Sequence, residues 1–403
     1  MGAPAARASE LARHWAAAGH KVTVLTGFPN HPTGEVPAEW RARWRGLVYR
    51  EDVDGVRVVR TWLWPLPNRK AHERMRNYAS FCISAAMTGM KGARPEVVIG
   101  SSPQLLVGLA AWWIAAWKRV PFVFEVRDLW PESLAAVGAG GEDSWLYKLL
   151  GAIAGFLYRR ATHIVVVTPA FKEHLVRQWN VAADKISLVA NGVETEMFAP
   201  QTAESDAQTR AELKAEGKFL VCYSGTMGMA HGLDTLLEAA AELRQSAPRV
   251  QFVLVGEGAD KQRIVDLARE RELTNVTFLD QQPREKIPAL ISASDACLVL
   301  LKKTDVFKTV IPTKMLEFMS CGRPVILSVE GQARQIVEEA NAGIAIEPEN
   351  TAALAETIVT LERHPDRGRE MGSRGREYIQ KKYSRGQTAE DYIAVLEKLG
   401  MGG

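Results

Sequence analysis

Cysteine is scarce in this sequence, and its positions follow no paired spacing. Four cysteines stand far apart in 403 residues, at Cys82, Cys222, Cys297 and Cys321. Disulfide-stabilised domains and structural zinc sites need cysteines at short, repeated spacings. We therefore exclude both classes and expect reduced thiols, which are typical of a cytoplasmic protein.

A strong charge of either sign is also missing. The formal net charge of +3 is too small to indicate a nucleic-acid partner. The opening residues lead directly into a polar helix pattern, so we expect no signal peptide. No group of potential metal ligands stands out, and we expect no metal requirement.

Long apolar runs are absent as well. The strongly apolar segment 105–117 has thirteen residues, too few to cross a bilayer. We expect a helix buried against a sheet. Its tryptophans Trp112, Trp113 and Trp117, with basic residues beside them, leave peripheral membrane contact as the alternative.

The chain is long enough for two domains, and strands alternate with helices through both halves. This alternation predicts an α/β fold with mainly parallel sheets covered on both faces. We expect a first domain over residues 1–198, a second over 199–383 and an amphipathic helix in the tail, 384–403. The polar segment 199–216 is a predicted linker.

Apolar runs bounded by turn residues predict the individual elements. In the first half we expect strands at 21–27, 96–101, 121–126, 164–168 and 185–190, a hairpin of 47–50 with 56–62, and a loop over 28–46. In the second half we expect strands at 219–224, 250–255, 276–279, 296–301, 324–328 and 344–346. Asp52 and Asp54 could form a metal-binding acid pair, but Asp54-Gly55 suits the hairpin turn better.

The stretch 307–325 combines features that suit a nucleoside diphosphate. Pro312 favours a helix start, where free N–H groups and the helix dipole attract phosphate. Lys314 and Glu317 are three residues apart on one side of this helix, so they could serve the phosphates and the ribose diol. The alternative is an ordinary amphipathic helix with an exposed ion pair.

Two glycine turns follow predicted strands in the same half. Ser224–Gly232 and Gly256-Glu-Gly258 each lie between a strand and a helix, where small residues let the backbone approach a pyrophosphate. Neither completes the dinucleotide fingerprint, so a nicotinamide enzyme is the weaker interpretation. Tight turns without a ligand are the structural alternative for each motif.

Several segments together carry a resemblance to a known family. They are 224–239, the 256–258 turn, Asn191-Gly-Val and the run Lys314-Met-Leu-Glu-Phe-Met-Ser-Cys-Gly-Arg-Pro-Val. Over nearly its whole length the chain resembles the family 4 retaining glycosyltransferases. Segments 125–132 and 307–314 are similar to the transferases of O-antigen and colanic-acid assembly, of the L-fucosamine transferase type. The resemblance implies the GT-B architecture, two Rossmann-like domains facing across a cleft, with the last helix returning to the first domain.

The resemblance also implies which residues bind the donor. Glu317 matches the second Glu of the family's paired-Glu motif, which holds the ribose. The first Glu of that motif is replaced by Thr309, and the usual phosphate-binding Lys would fall near His231, so Lys314 is expected to supply the charge. The expected nucleotide-sugar residues are Gly225, Thr226, Met227, Gly228, His231, Gly256, Glu257, Thr309, Pro312, Thr313, Lys314, Leu316 and Glu317.

On the acceptor side, the resemblance points to the end of strand 121–126. Asp128 lies near the position where the family has a His or Asp beside the sugar, and capping of the following turn is its alternative role. With Lys314 and Glu317 it completes the expected catalytic set. Arg127, Glu132, His31 and Asn191 are the expected acceptor-side residues.

The implied chemistry needs no cofactor. N–H groups at 225–228 and at Thr313, together with Lys314, would stabilise the leaving diphosphate of a UDP- or GDP-sugar. The implied acceptor is a lipid-linked saccharide at the inner face of the cytoplasmic membrane, with docking by segments 40–78 and 105–119. A sugar-nucleotide epimerase of the same architecture and a non-catalytic subunit of a polysaccharide assembly complex remain as rivals.

The first element of the chain is unusual. A helix at 4–18 precedes the first predicted strand, whereas a parallel sheet normally begins with a strand. Members of the family open with a strand and a Gly-rich turn, and residues 2–7 resemble the end of that turn. We therefore expect that the first strand of the first domain is missing from the chain and that its neighbours have unpaired edges.

Overall fold

A computed structural model describes residues 3–30, 34–66, 71–133 and 144–399. The chain divides into two compact units. The first comprises Pro4–Ala190 and the chain from Thr388 onward, and the second comprises Asn191–Gln387 with the first residues of the chain. Each unit has its own sheets and core.

The first unit is built from seven described strands and the helices between them. The strands are β1 (Thr23–Gly27), β2 (Val48–Val53), β3 (Val56–Thr61), β4 (Val98–Ser101), β5 (Phe122–Val126), β6 (His163–Val166) and β7 (Ile186–Leu188). The helices are α1 (Ala3–Ala17), α2 (Ala38–Arg45), α3 (Ala71–Lys91), α4 (Leu105–Lys118), α5 (Trp145–Arg160) and α6 (Pro169–Trp179).

The described strands of the first unit form two sheets. One has the order β1-β3-β2 and the other the order β4-β5-β6-β7. Among the described residues, β1 pairs only with β3 and β4 pairs only with β5. Strand β5 lies inside its sheet and is fully buried, as a strand covered on both faces must be.

The predicted hairpin is confirmed. Strands β2 and β3 pair antiparallel, and Val53 faces Val56 across the turn. Asp54 and Gly55 both have positive φ, 50° and 78°, the combination that two-residue hairpin turns require. The turn therefore accounts for Asp54.

Two segments that were expected to be irregular contain helices. The predicted loop 28–46 includes α2, in which none of the residues is buried. Its Trp40 is held between the guanidinium groups of Arg43 and Arg60, whose Cζ atoms lie 5.0 and 4.6 Å from the ring centroid. The pattern predicted a loop wrongly because the contacts of this helix come from two half-buried tryptophans, Trp40 and Trp44, which meet other aromatic rings, and not from a fully buried apolar stripe.

The second unit has one continuous described sheet. Its strands are β8 (Phe219–Ser224), β9 (Val250–Val255), β10 (Val276–Leu279), β11 (Ala296–Leu300), β12 (Val325–Ser328) and β13 (Gly343–Ala345), all parallel in the order β10-β9-β8-β11-β12-β13. The helices are α7 (Ala203–Glu212), α8 (Asp234–Ser246), α9 (Lys261–Glu270), α10 (Ile287–Ser292), α11 (Thr313–Ser320), α12 (Gln332–Glu339), α13 (Thr351–Arg363), α14 (Pro365–Lys382) and α15 (Arg385–Lys398).

Helix α7 corrects the predicted linker at 199–216. It starts with a hydrogen bond from the Ser205 N–H to the Thr202 hydroxyl, a normal N-cap. Arg210 then forms an ion pair with Asp295, with 2.8 Å between Nη2 and Oδ1. The polar sequence therefore reflects an exposed helix that is attached to the second unit by charge.

The last helix packs on the first unit from Thr388 onward. Ala389, Tyr392 and Leu396 are buried in one cluster with Leu11, Val123 and Val165. The Trp15 indole donates a hydrogen bond to the Ala389 carbonyl (3.0 Å), and its ring meets the Tyr392 ring edge to face. These contacts join the two ends of the chain within one core.

Candidate active site

The strand order of the second unit indicates where on its sheet a ligand would bind. Reading outward from β8, one half of the sheet follows the order β8, β9, β10, and the other half begins at β11. The order therefore reverses between β8 and β11, and ligands of such sheets bind beyond the carboxyl ends of the strands at this point. These two strands pair only through Val221–Cys222 and Ala296–Cys297.

Gly225 follows β8 at the reversal point, and the backbone approaches closely there. Gly225 and Gly256 have φ of +138° and +144°, a region that side chains rarely adopt. A Cβ on Gly256 would collide with the Gly225 carbonyl oxygen. Glycine at both positions is thus required for the two turns to pack against each other.

The N–H groups of the first turn are only partly available to a ligand. Gly225 donates to the Val255 carbonyl and Met227 to the Glu257 carbonyl, both at 2.9 Å. The expectation that all four N–H groups of 225–228 serve a phosphate is therefore wrong for these two. The N–H groups of Thr226 and Gly228 make no hydrogen bond to another described residue.

Helix α11 brings a lysine to the same place. Met315, Leu316, Phe318 and Met319 are fully buried in the core, which leaves Lys314 and Glu317 on the side toward the sheet edge. A Cβ on Gly225 would lie 2.8 Å from Lys314 Nζ. Because Leu316 is buried, only its backbone could contact a ligand.

The Lys314 ammonium group has an unusual environment. Its Nζ is buried and makes no hydrogen bond with any described residue. It lies 4.1 Å from the centroid of the Tyr223 ring. Burial lowers the pKa of Lys314 to about 8, although the Glu317 carboxylate opposes this shift. An exposed ion pair, the structural alternative for Lys314 and Glu317, does not describe this arrangement.

His231 lies near the Tyr223 ring, with 6.2 Å between the two ring centroids. Burial, and then the positive charge of Lys314, lower the pKa of His231 to about 4. Its Nδ1 lies 3.3 Å from the Gly228 carbonyl oxygen. His231 is therefore a neutral imidazole at neutral pH, and it does not supply the positive charge that Lys314 brings to Gly225.

Glu317 has a partner that the sequence did not suggest. Arg284 Nη2 lies 3.5 Å from Glu317 Oε1, and both side chains are mostly buried. The Arg284 guanidinium also stacks on Phe198, with Cζ 5.0 Å from the ring centroid. Tyr223 is the next-to-last residue of β8, so inspection of the last residues of each strand would have found it, whereas Arg284 lies five residues beyond the end of β10 and carried no such signal.

The remaining residues that were expected to bind the donor make contacts within the protein. The Glu257 carboxylate accepts from Lys261 at 2.6 Å. The Thr309 hydroxyl donates to the Val306 carbonyl at 2.7 Å within a 3₁₀ turn. Pro312 and Thr313 start α11, and the Met315 N–H bonds back to the Pro312 carbonyl. Thr309 and Glu257 thus have structural roles, and their expected contact with the donor stays a prediction.

Asp128 lies beyond the carboxyl end of β5 in the first unit. Its N–H and that of Arg127 point at the Ser102 hydroxyl, at 3.4 and 2.7 Å. Its carboxylate makes no hydrogen bond with a described residue, so a turn-capping role finds no support there. Burial raises the pKa of Asp128 to about 6, and the Arg127 charge opposes the shift.

The other residues that were expected on the acceptor side stand in separate segments of the chain. Glu132 Oε1 lies 2.9 Å from His174 Nε2, so Glu132 also joins the 131–133 segment to α6. Asn191 is the first residue after the boundary between the two units. His31 lies outside the described residues.

A buried ion pair supports the Asp128 segment. Arg7 bonds Glu125 on β5, with Nη2 and Oε1 2.9 Å apart, and both side chains are buried. The Ser101 hydroxyl donates to the second Glu125 oxygen. Burial opposes ionisation, but Arg7, Arg127 and Ser101 outweigh it and hold the pKa of Glu125 below its usual range.

The described residues lack both a cluster of metal ligands and a helix that could cross a membrane. They contain no group of three or more His, Cys, Asp or Glu side chains that could hold a metal ion. None of the helices they form combines the length and the apolar character needed to cross a bilayer.

Two family descriptions match the chain, one in each half. The glycosyl transferase 4-like domain matches residues 2–192, and the glycosyl transferases group 1 domain matches residues 204–378. Together they cover most of the sequence. Each matched region coincides closely with one compact unit.

Individual relatives agree with the family matches. WcaI of Escherichia coli (strain K12), a glycosyl transferase named for colanic acid biosynthesis, is 25% identical over 91% of this chain and 90% of its own. WbjE of Pseudomonas aeruginosa, which is named as a glycosyltransferase, is 22% identical over 77% of this chain and 74% of its own.

Solved structures agree on the fold. Sucrose-phosphate synthase from Thermosynechococcus elongatus superposes with a TM-score of 0.78 and 22% identity, over 100% of this chain and 94% of its own. Anabaena HepE, solved with UDP-glucose, has a TM-score of 0.70 and 15% identity, over 94% of this chain and 100% of its own. The chain is an enzyme with the GT-B fold and belongs to the family 4 glycosyltransferases.

Proposed function

We propose that this enzyme transfers a sugar from a nucleoside-diphosphate sugar, with retention, to a lipid-linked saccharide in cell-surface polysaccharide assembly. The observation that carries the donor part is the buried Lys314 ammonium beside Gly225, without a hydrogen-bond partner among the described residues. A buried cation without an anion is unfavourable, so a bound anion would stabilise it.

A diphosphate is the anion that suits this position. Lys314 offers one positive charge, and the N–H groups of Thr226 and Gly228 offer two donors. The start of α11 adds its helix dipole. These groups stand at the point where the strand order reverses, which is the usual ligand position of such a sheet. A leaving diphosphate would gain negative charge there, and fixed donors would stabilise it.

The ribose would bind Glu317. A carboxylate accepts hydrogen bonds from a diol, and Arg284 keeps the Glu317 carboxylate close to one position. Glu317 follows Lys314 by three residues on the same helix. The distance between the two side chains is therefore set by the helix, which suits a ligand with diphosphate and ribose joined.

The relatives guide the choice of donor and acceptor. HepE was solved with UDP-glucose, and WcaI is named for colanic acid biosynthesis. We propose UDP as the nucleotide, with GDP as the alternative, and an N-acetylamino sugar as the transferred group. In the chemistry we propose, the leaving phosphate accepts the proton of the acceptor's hydroxyl group, and no protein side chain acts as a nucleophile. Asp128 is the candidate for contact with the sugar or the acceptor.

Isothermal titration with UDP and with GDP tests the donor site. We expect the wild-type protein to bind one of them more tightly than the other. Lys314→Met should weaken this binding at least about tenfold, a loss of about 1.4 kcal/mol. Leu188→Ser, an exposed change on β7, is the control. Binding of neither nucleotide by the wild type would contradict the proposal and support a non-catalytic subunit.

A panel of nucleotide sugars then tests the reaction. We expect one of them to release its nucleoside diphosphate when lipid-linked saccharide is present. Conversion to an isomeric nucleotide sugar without any acceptor would instead indicate an epimerase.

A further inference from the structure

Two neighbouring helices of the first unit expose large apolar side chains to solvent. Ile83 and Met87 on α3 are 62% and 53% exposed, and Trp113 and Trp117 on α4 are 51% and 67% exposed. Each pair has the spacing i, i+4, so each lies on one side of its helix. Soluble proteins seldom expose such groups together, and contiguous exposed patches mark interaction sites.

The four side chains lie on adjoining surfaces because α3 and α4 pack directly together. Gly89 of α3 is small enough to let Ile114 of α4 pack against it. The Trp113 indole donates to the Met90 sulfur at 3.2 Å. Ile83 and Met87 precede Met90 by seven and three residues, which puts them on its side of α3. We call these four residues the tryptophan face.

Basic side chains surround one end of the tryptophan face. The Lys118 ammonium donates to the carbonyls of Met90 and Gly92, so α3 and α4 end side by side. The Arg94 guanidinium donates to the Arg119 carbonyl at 3.2 Å. The exposed cations at this end are Lys91, Arg94 and Arg119, and we call them the basic rim.

Helix α5 packs on α4 and adds one more exposed cation, Arg160. Phe156 meets Trp112 edge to face at 4.7 Å, and Arg160 follows it by one turn with Cζ 5.6 Å from its ring. Neither α4 nor α5 contains an Asp or Glu. Helix α3 contains one acidic residue, Glu73 in its first turn, and Glu96 follows the rim residue Arg94 by two positions.

We propose that the tryptophan face and the basic rim dock the protein on a bilayer that contains anionic lipids. Tryptophan favours the boundary between headgroups and acyl chains, because its ring is apolar and its N–H is polar. Exposed Arg and Lys attract the negative surface potential of such a bilayer. This combination distinguishes a lipid surface from a purely apolar protein partner.

The proposed face also has a structural connection to the Asp128 segment. Helix α4 begins just after Ser102, whose hydroxyl accepts from Arg127, and the Trp130 indole donates to the Pro103 carbonyl at 2.7 Å. The same helix ends at Lys118, one residue after Trp117. A bilayer under α4 would therefore hold the first unit near a lipid-linked acceptor. The docking itself does not depend on the donor site.

Vesicle co-sedimentation without any nucleotide tests the proposal. The vesicles consist of phosphatidylcholine alone or mixed with phosphatidylglycerol. We expect the wild-type protein to bind the mixed vesicles, and raising the salt from about 0.1 M to about 1 M should release part of it. Absence of binding to mixed vesicles would overturn the proposal, whatever the donor experiments give.

Three variants separate the contributions. Trp113→Ser with Trp117→Ser should lower the partition coefficient at least about tenfold. Arg94→Gln with Arg119→Gln and Arg160→Gln should lower it about fivefold for each charge removed. Leu188→Ser with Arg177→Gln, which changes exposed residues on β7 and α6, should bind as the wild type does.

Two further results would also overturn the proposal. One is that the face and rim variants bind vesicles as well as the control does. The other is a wild-type dimer in sedimentation velocity that the tryptophan variant converts to a monomer, with vesicle binding unchanged. The face would then be a contact between copies of the chain. Equal thermal midpoints for all variants verify that they are folded.

Discussion

The first unit buries the Arg7 guanidinium beside an acidic partner, whereas the second buries the Lys314 ammonium without a hydrogen-bond partner among the described residues. In the first unit, Arg7 is 2% exposed and bonds Glu125 and the carbonyls of Val189 and Ala190. In the second, Lys314 Nζ is buried without a hydrogen bond to any described residue and lies 4.1 Å from the centroid of the Tyr223 ring. Removal of one partner from a buried ion pair destabilises a fold, whereas removal of an unpaired buried charge relieves it. The difference indicates a structural role for Arg7 and a ligand-binding role for Lys314.

The largest expected effect is at Arg7. Arg7→Met would leave the Glu125 carboxylate buried with one cation fewer, so the free energy of unfolding should fall by about 3–5 kcal/mol. Urea denaturation measures it, and Arg7→Lys should recover part of the loss. A free energy of unfolding equal to that of the wild type would show that this pair is not structural.

Lys314→Met should act in the opposite direction. At pH 7 the variant should be more stable than the wild type by about 3 kcal/mol, since it removes a charge whose pKa burial lowers from 10.5 to about 8. Turnover should meanwhile fall at least about tenfold. A variant that is both less stable and fully active would refute the ligand-binding role.

The same shift predicts a pH dependence. Between about pH 8 and 10.5 the unfolded chain holds the Lys314 proton more tightly than the folded one, so the free energy of unfolding rises with pH. Other groups titrate in this range too, so the relevant quantity is the difference between wild type and Lys314→Met. This difference should shrink steadily from pH 8 to pH 10.5.

Substitutions of Arg284 and Glu317 should have a smaller effect, and it should concern the binding of the donor. Glu317→Ala should lower turnover at least about tenfold. If Arg284 acts by positioning Glu317, Arg284→Ala should raise the donor KM more than it lowers kcat, and Arg284→Lys should restore part of it. With 2′-deoxy-UDP in place of UDP, both alanine variants should lose less affinity than with UDP. Equal losses with both nucleotides would argue against ribose contact.

Asp128 carries the smallest predicted effect. Burial raises the pKa of Asp128 to about 6, above that of a free aspartate. Its carboxyl group therefore loses its proton only near pH 6. If the carboxylate serves the reaction, kcat/KM should increase through about pH 6 and level off above it. Asp128→Asn should have lower kcat/KM and lack this step, and a retained step would assign it to another group. Asp184→Asn, an exposed change in the first unit, is the matched control.

The strands of the second unit were predictable because each is an apolar run. Strands β8, β9 and β10 begin and end where their patterns do, since a strand covered on both faces must be apolar throughout. Helices α2 and α7 were not predictable in this way, because α2 has no buried residue and α7 buries only Thr209, so neither shows a buried apolar stripe. The N-cap Thr202 was the one local signal for α7.

For the active site, the sequence by itself determined that Lys314 and Glu317 share a side of one helix. It also determined that Gly225 and Gly256 directly follow two strands that are consecutive in the chain. Helical periodicity gives the first result, and the glycine directly after each apolar run gives the second. Only the tertiary structure decided that the side with Lys314 is covered by Tyr223 and Gly225, and that Arg284 comes within reach of Glu317. Local periodicity states which residues lie together, but which surface is removed from water depends on strands that are distant in the chain.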